Sequence, residues 1–553
     1  MTYREKKDLI NVLSATRYFI SNQEEIQKRR LIRLQEETKR KKENLLCGIA
    51  FNYHDSSVSF ALNNKILLVL EAERMFRKKK KRCDSEEMEE LILYGLNLLD
   101  KDVDDISYWA LETLRNPWLE EKDTYPNPPV WRDINIFGSH RKSLIVNHHF
   151  SHACVYLFSS FDKATIFTCD GGGDKGERIT IYEGDGLNLI KQGIDVDGFI
   201  TAKPYDLCAT YLYNSPMCEG KLMALAAYGT PQKKYVEKLE ELLPILCTTN
   251  YENGDIVLSK SFPGLKGKAS LLNTETCDFS ASLQDVFVRH RVEDTKKIAE
   301  TFKNKNLVLA GGGCLNIEAN TEIWNTHNYD EIYIPPCCDD TGQSLGAISH
   351  LILELFGTRP FLELPYVGIG SSFTYSEEIL NELVEYLLSD EIIILHNAKA
   401  EIGPRALGNR SFIARPDSIK VKKILSQQIK CREDYRPLAP VVLKEMIQEY
   451  FIESKESPFM LYQYRIKPDV KNLLRGAIHH DNTARVQTLD KNKNKFLYDL
   501  IKRFGERTGA YALINTSLNL KGESISNTLE DTLNISDRIT YSHRIVYNGS
   551  IIE

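Results

Sequence analysis

The chain has 553 residues, with 71 Lys and Arg against 77 Asp and Glu, a net charge of −6. Charged residues make up 27% and hydrophobic residues 42%, which excludes a disordered or collagen-like chain. The length exceeds what one hydrophobic core organises, so two or more domains are expected, and the slight acidity argues against a surface built throughout for nucleic acid.

The 12 cysteines include no C-x-x-C pair, which excludes zinc-ribbon and thioredoxin-type sites. Many lie in apolar runs, as Cys169 does in ATIFTCD, and read as small buried hydrophobes of a reduced compartment. No apolar stretch is long enough to span a bilayer, and no apolar segment precedes a small-residue cleavage site. A cytoplasmic protein without membrane contact is therefore expected.

Residues 1–44 read as a separate helical extension. The run from Glu24 to Glu43 contains no Gly or Pro. Ile26, Leu31 and Leu34 are too sparse for a heptad seam, so a solvated or docked helix is expected, with basic contact to an anionic partner the lesser reading. From Leu45, LLCGIAFNYHDSSVSFALNNKILLVLEAER reads as two strands joined at Asn63-Asn64. Further strands are expected at SLIVNHH, ATIFTCDGGG, NLVLAGGG and EIYIPP, with helices between them and at SEEILNELVEYLL. This alternation predicts an α/β fold with its site at strand ends. The Gly-, Pro- and Ser-rich stretch FGTRPFLELPYVGIGSSF predicts a linker at 358–374 between a domain at 45–357 and a second α/β domain at 375–553.

Several clusters carry chemistry. His148 and His152 lie four apart in HHFSH, one helical turn, the spacing that holds a divalent metal. The Glu of H-E-x-x-H is missing, so a zincin is not indicated. Asp170 ends an apolar strand and opens Asp170-Gly171-Gly172-Gly173-Asp174; Gly311-Gly312-Gly313 follows the strand LVLA and precedes Cys314-Leu315-Asn316. Glycines after a strand let backbone N–H groups approach a phosphate, and two such junctions point to a nucleotide between two lobes. Asp339-Asp340-Thr341-Gly342 is a third junction. Two imidazoles and two carboxylates would make a borderline site for iron, manganese or zinc. In the second half, Lys399, Arg405, Arg410, Lys430, Arg432, Arg436 and Arg485 alternate with apolar residues in GPRALGNRSF, DYRPLAP and TARVQT. Arginines embedded in this way call for anions, so a polyanion pocket is expected there, with Asn515, Thr516, Ser517, Asn519 and Glu523 adding polar groups.

The strings YHDSS, NHHFSHA, DGGGDKG, EGKLMALAAYG, AGGGCLN, GPRALGNRS, YRPLAP, TARVQT and NTSLNLKGE stand in this order from about Leu45 to Asp531. In them the chain resembles the NodU/CmcH-type O-carbamoyltransferases. The resemblance implies an actin-like, TsaD-like first domain followed by a YrdC-like domain. It implies that carbamoyl phosphate and ATP, with Mg2+, give carbamoyl adenylate in the second domain. The first domain would then pass the carbamoyl group to a hydroxyl of a small-molecule acceptor, a secondary metabolite or glycan-like compound. His148, His152, Asp170 and Asp340 fall on the family's metal ligands, where iron is the usual occupant. His54 and Asp55 fall at the acceptor site, with His54 as base or as positioning group. Gly171, Gly172, Gly312, Gly313 and Asn316 fall on nucleotide-contacting loops, and Lys399, Arg405, Lys430, Arg436, Arg485 and Asn519 on the adenylation pocket.

The chain departs from the family pattern at Ala398-Lys399-Ala400-Glu401, where Gly-Arg-Met-Glu is common, and at Cys337-Cys338-Asp339, which sets a second acid beside Asp340. Leu529 stands where Pro is common. Acceptor selection is expected in the aromatic, Pro-rich loop at 113–140. Rival readings are a threonylcarbamoyl-AMP-type tRNA-modification enzyme and a non-catalytic nucleotide-binding regulator. Nucleic acid is not expected as a partner on the first reading.

Overall fold

The computed structural model describes residues 27–120, 125–194 and 196–552. Part of the expected helical extension (1–26) and part of the expected selection loop (121–124) lie outside the described residues.

The first sheet holds β1 (Leu45–Ala50), β2 (Ser57–Leu62), β3 (Lys65–Glu71), β4 (Ile106–Glu112), β5 (Val130–Ile136) and β6 (Ser139–Val146), in the order β3-β2-β1-β4-β6-β5. Where two strands were expected there are three. β1 and β2 pair antiparallel, with Ala50 opposite Ser57, and the chain reverses through Asn52 and Asp55, both with left-handed φ (53° and 57°). The expectation failed because apolar residues flank the YHDS turn closely on both sides. That turn presents His54 and Asp55 at the sheet's end.

The second sheet holds β7 (Lys163–Cys169), β8 (Ile179–Asp185), β9 (Asn188–Lys191), β10 (Asn306–Ala310) and β11 (Glu331–Tyr333), in the order β11-β10-β7-β8-β9. Its strands repeat the plan of the first sheet. An antiparallel three-stranded meander (β1-β2-β3; β7-β8-β9) is extended by parallel strands on its first member (β4 and β6; β10 and β11). The helix Gln343–Phe356 packs under the first sheet so closely that a Cβ on Gly48 would lie 2.5 Å from the Ser344 carbonyl oxygen. Helices from Lys203 to Phe302 form a separate apolar cluster beside the second sheet.

The second half of the chain adds β12 (Ile392–His396), β13 (Arg410–Ala414), β14 (Ala439–Leu443), β15 (Gln463–Arg465), β16 (Thr483–Arg485), β17 (Gln487–Leu489), β18 (Ala512–Ser517), β19 (His543–Tyr547) and β20 (Ser550–Ile552). Seven of them form one mixed sheet, β17-β14-β18-β13-β12-β19-β20, and β15 and β16 pair apart. Both halves are therefore α/β. Within β13, Arg410 is fully buried; Glu401 lies near enough to favour its charge, yet the guanidinium's hydrogen bonds go to backbone. Its guanidinium donates to the carbonyls of Asn397 (2.8 Å), Asn409 (3.0 Å) and Ile369 (2.9 Å), so it clamps loops, and the expectation that every embedded arginine calls for an anion is corrected here.

The helix at 27–40 is docked on the first sheet. Leu34 is buried in the main core, Arg30 pairs with Asp133 (2.7 Å), and Gln35 donates to the Glu354 carbonyl (2.7 Å). The segment 358–374 runs along β3, where Ile66 and Val69 donate to the carbonyls of Phe361 and Val367 (both 2.9 Å) and Val367 joins the core. The two halves also interlock. Glu71 accepts from the Gly403 N–H (2.8 Å), and Arg74 donates to the Gly403 carbonyl (2.9 Å). Gly403 has φ +94°, and a Cβ there would meet the Pro336 oxygen at 2.2 Å, so only glycine fits this crossing.

Candidate active site

β6 is followed by Asn147, whose side chain caps the helix His148–Ala153 by accepting from the Phe150 N–H (3.1 Å). Asp174 steadies the same corner by accepting from Asn147 Nδ2 (2.8 Å) and the His148 N–H (3.0 Å). On that helical turn His148 and His152 face the same way, with ring centroids 4.9 Å apart. β7 delivers Asp170, whose carboxylate accepts from the N–H groups of Gly312 (2.9 Å) and Gly172 (3.3 Å). Asp340 comes from the turn before the helix Gln343–Phe356. One ligand atom from each of His148, His152, Asp170 and Asp340 lies within 4.8 Å of the other three. Asp340 Oδ1 is 3.3 Å from His152 Nε2 and 3.7 Å from His148 Nε2, and all three atoms are buried without a hydrogen-bond partner. Buried polar atoms are rarely left so, and an imidazole and carboxylate donor set with these orphaned atoms fits a divalent metal.

Glu112, at the end of β4, lies 3.0 Å from His148 Nδ1 and leaves Nε2 facing the cluster. Burial raises the Glu112 carboxyl to about 7 despite that contact. Burial disfavours charge on Asp170 too, but His148, His152 and the Gly312 N–H hold its carboxyl well below the usual range. His149 turns away, with Nδ1 2.9 Å from Thr180 Oγ1; burial and the neighbouring histidines keep it neutral. Asp339 does not join the metal cluster. It accepts from Thr341, and its other oxygen faces Lys80 at 3.9 Å.

His54 Nδ1 lies 2.8 Å from Asp55 Oδ2 and 3.7 Å from Asp340 Oδ2. Burial works against its proton, but Asp55 and Asp340 outweigh this and raise it to about 9. Arg115 lies over the Tyr53 ring at 4.5 Å and Trp118 packs edge-on against Phe51, so the first part of the expected selection loop packs on the segment that leads into His54.

Beside this centre opens a cavity of about 510 Å3, lined from both halves of the chain. Asp55, Lys80 and Thr341 line one side; Lys79, Arg405, Arg432, Arg436, Arg485 and Asn519 line the other. Burial lowers the pKa of Arg485 well below its ordinary value, and Arg405, Arg432 and Arg436 add to the shift by repulsion. Arg432 is pushed down to about 9 by burial and by Arg436. Nε of Arg405 and of Arg485 are buried without a partner. Arg436 has Glu433 beside it (3.7 Å), but four crowded guanidiniums repel one another unless an anion completes them, and polyphosphate is the geometric match.

Other expected site residues lie elsewhere. Lys399 does not line the cavity; its Nζ reaches the Leu67 carbonyl at 3.3 Å. Lys430 sits behind the wall and spends its donors on the carbonyls of Ser517 (2.5 Å) and Asn519 (2.7 Å) and on the Asn519 side chain. Asn316 is engaged as cap of the helix Ile317–Asn325 and with Gln284 (3.0 Å). Gly171 and Gly172 are open, with nothing within 4 Å of a Cβ built there, whereas Gly312 and Gly313 lie against Asp170 and Cys169. Sequence reasoning missed Glu112, Lys79 and Lys80. An acid ending a largely apolar strand was a signal for Glu112; the lysines were lost in the run RKKKKR.

Comparison with known proteins agrees with this layout. The chain belongs to the carbamoyltransferase family: the model of the carbamoyltransferase N-terminus matches residues 45–349 and that of the C-terminus matches 384–551. It is accordingly a carbamoyltransferase enzyme. It is 28% identical to the nodulation protein NolNO of Sinorhizobium fredii, over 87% of this chain and 76% of that protein. It is also 28% identical to an uncharacterized protein of Methanocaldococcus jannaschii, over 87% of this chain and 94% of the relative. Among solved structures, full-length HypF in its phosphate- and nucleotide-bound form overlaps 57% of this chain and 56% of its own at 15% identity and TM-score 0.33, too low to carry an argument.

Proposed function

We propose that the chain is an O-carbamoyltransferase working in two steps across the cavity. The reading rests above all on one cavity being lined by four crowded, half-buried guanidiniums on one side and by Asp55 and Thr341, next to the histidine–carboxylate cluster, on the other. In the first step water releases phosphate from carbamoyl phosphate. A carbamate oxygen then attacks the α-phosphorus of ATP, and pyrophosphate leaves. Arg405, Arg432, Arg436 and Arg485 bind the phosphates and offset the charge that builds on the departing pyrophosphate. In the second step an acceptor hydroxyl oxygen attacks the carbamoyl carbon and AMP leaves. Doing both in one enclosed space shields a mixed anhydride from bulk water.

The acceptor is read as a small molecule, in line with the nodulation relatives, entering beside Tyr53 and Arg115. His148, His152, Asp170 and Asp340 would hold the metal, which when bound supplies Lewis-acid polarisation. His54 orients the acceptor oxygen. It also serves as base only once the Asp340 charge, which now favours its protonated form, is engaged elsewhere. The repeated strand plan of the first two sheets supports an actin-like reading of residues 45–357, with 375–553 as the YrdC-like adenylating domain.

The test supplies carbamoyl phosphate and ATP without acceptor and follows pyrophosphate and carbamoyl adenylate by mass spectrometry. Both products are expected from the wild type and from His148→Ala, and neither from Arg405→Ala. Product from bicarbonate and threonine, but none from carbamoyl phosphate, overturns the reading in favour of tRNA modification.

A further inference from the structure

Two neighbouring lysines line the cavity where its two chemical characters meet. Lys79 lies on the arginine side and feels Arg432 and Arg436. Lys80 lies on the carboxylate side. Its Nζ is 2.6 Å from Asp55 Oδ2 and 3.9 Å from Asp339 Oδ2, and a third of the side chain stays exposed. Both carboxylates are almost wholly buried, and Asp339 Oδ2 has no hydrogen bond of its own.

The backbone is held in place for this contact. Asp55 and Lys80 both have left-handed φ (57° and 56°), which non-glycine residues adopt at a cost. The Lys80 N–H is fixed by Glu73 Oε2 at 3.0 Å, and the turn before it is tied to the second half by Arg77, which donates to the Ile525 carbonyl (2.6 Å) and faces Asp531 (3.3 Å). Asp55, Glu73 and Asp339 would otherwise present a wall of negative charge to any phosphate ester moving from the arginines toward the histidine–carboxylate cluster. At low effective dielectric such like charges repel strongly.

The geometry points to Lys80 as a positioning residue that neutralises Asp55 and Asp339 at the boundary of the cavity and so admits the adenylate phosphate to the transfer side. This deepens the two-step reading and rests on it.

The test measures calorimetric binding of AMP and of pyrophosphate to the full chain. Lys80→Met is expected to weaken AMP at least about tenfold and pyrophosphate by less than about twofold. Lys80→Arg should recover most of the AMP affinity. Adding Asp339→Asn to Lys80→Met should restore part of it, because the charge that Lys80 offsets is then gone, an outcome that a merely structural lysine would not produce. Equal loss of AMP and pyrophosphate, unchanged AMP affinity, or no recovery in the double variant each overturns the proposal. Turnover is not needed, so a wild type that makes no carbamoyl adenylate defeats the two-step reading through a separate measurement.

Discussion

Arg485 carries a charge that the protein alone does not balance. It is half-buried beside Arg405, Arg432 and Arg436, and its Nε is buried without a partner. Replacing such a group with an apolar side chain relieves the folded state while removing the anion site. Arg485→Met is therefore expected to raise Tm by a few degrees and to cut pyrophosphate release at least ~100-fold, read by scanning calorimetry and a coupled phosphate assay. His396 shows the opposite side of buried charge. It lies in β12 with Nδ1 2.7 Å from Thr532 Oγ1, and burial, with Arg410 nearby, pushes its pKa down to about 2. The unfolded chain binds the proton near pH 6.5 and the folded chain does not. Stability is thus retained above that pH and lost as pH falls below it. At pH 5 the loss is roughly 2 kcal/mol, and His396→Asn should remove that part of the slope in urea titrations run from pH 7 to 5.

At the scale of elements, the crossing of Gly403 with the Glu71–Arg74 pair places the arginine loop. Glu71 ends β3 and Arg74 follows three residues on; they hold both the N–H and the carbonyl of Gly403 and lie 3.3 Å apart in a buried pair. Pro404 and Arg405 come next in the chain, so the first half of the molecule sets the position of a guanidinium in the second. Burial raises the Glu71 carboxyl to about 8, so Arg74→Met leaves a buried neutral carboxyl and an unmet Gly403 carbonyl and should cost about 2 kcal/mol. Arg74→Lys keeps the charge without the planar fork and should recover only part of that loss in equilibrium denaturation. The helix at 27–40 is placed by the same logic. Leu34 enters the core while Arg30 and Gln35 tie its flanks, so its sparse apolar residues suit one docking face.

For the whole molecule, the cavity is completed only when both halves are folded against each other. A ligand that fills it should stabilise the assembled chain by mass action. Pyrophosphate at a hundred times its Kd is expected to add about 2.7 kcal/mol. Most of that gain should vanish in Arg485→Met, as read from Tm against pyrophosphate concentration. An equal shift in the variant would place the anion elsewhere.

The sequence alone settled the chemistry types and much of the local order. The HHFSH turn, the strand-to-glycine junctions and the α/β alternation were legible because helical spacing and apolar runs are local properties. Which embedded arginines face an anion was not legible. Arg410 and Arg485 look alike in sequence, yet the terminal nitrogens of Arg410 are taken up by backbone carbonyls while Arg485 lines the cavity among other arginines. Asp339 and Asp340 are neighbours, but the turn sends one to Lys80 and the other to the histidines. The duplicated sheet plan, the third strand hidden behind the YHDS turn and the site of Lys80 were likewise decided by tertiary structure. Strand pairing and charge neutralisation join residues hundreds of positions apart, and no local pattern records which of them will meet.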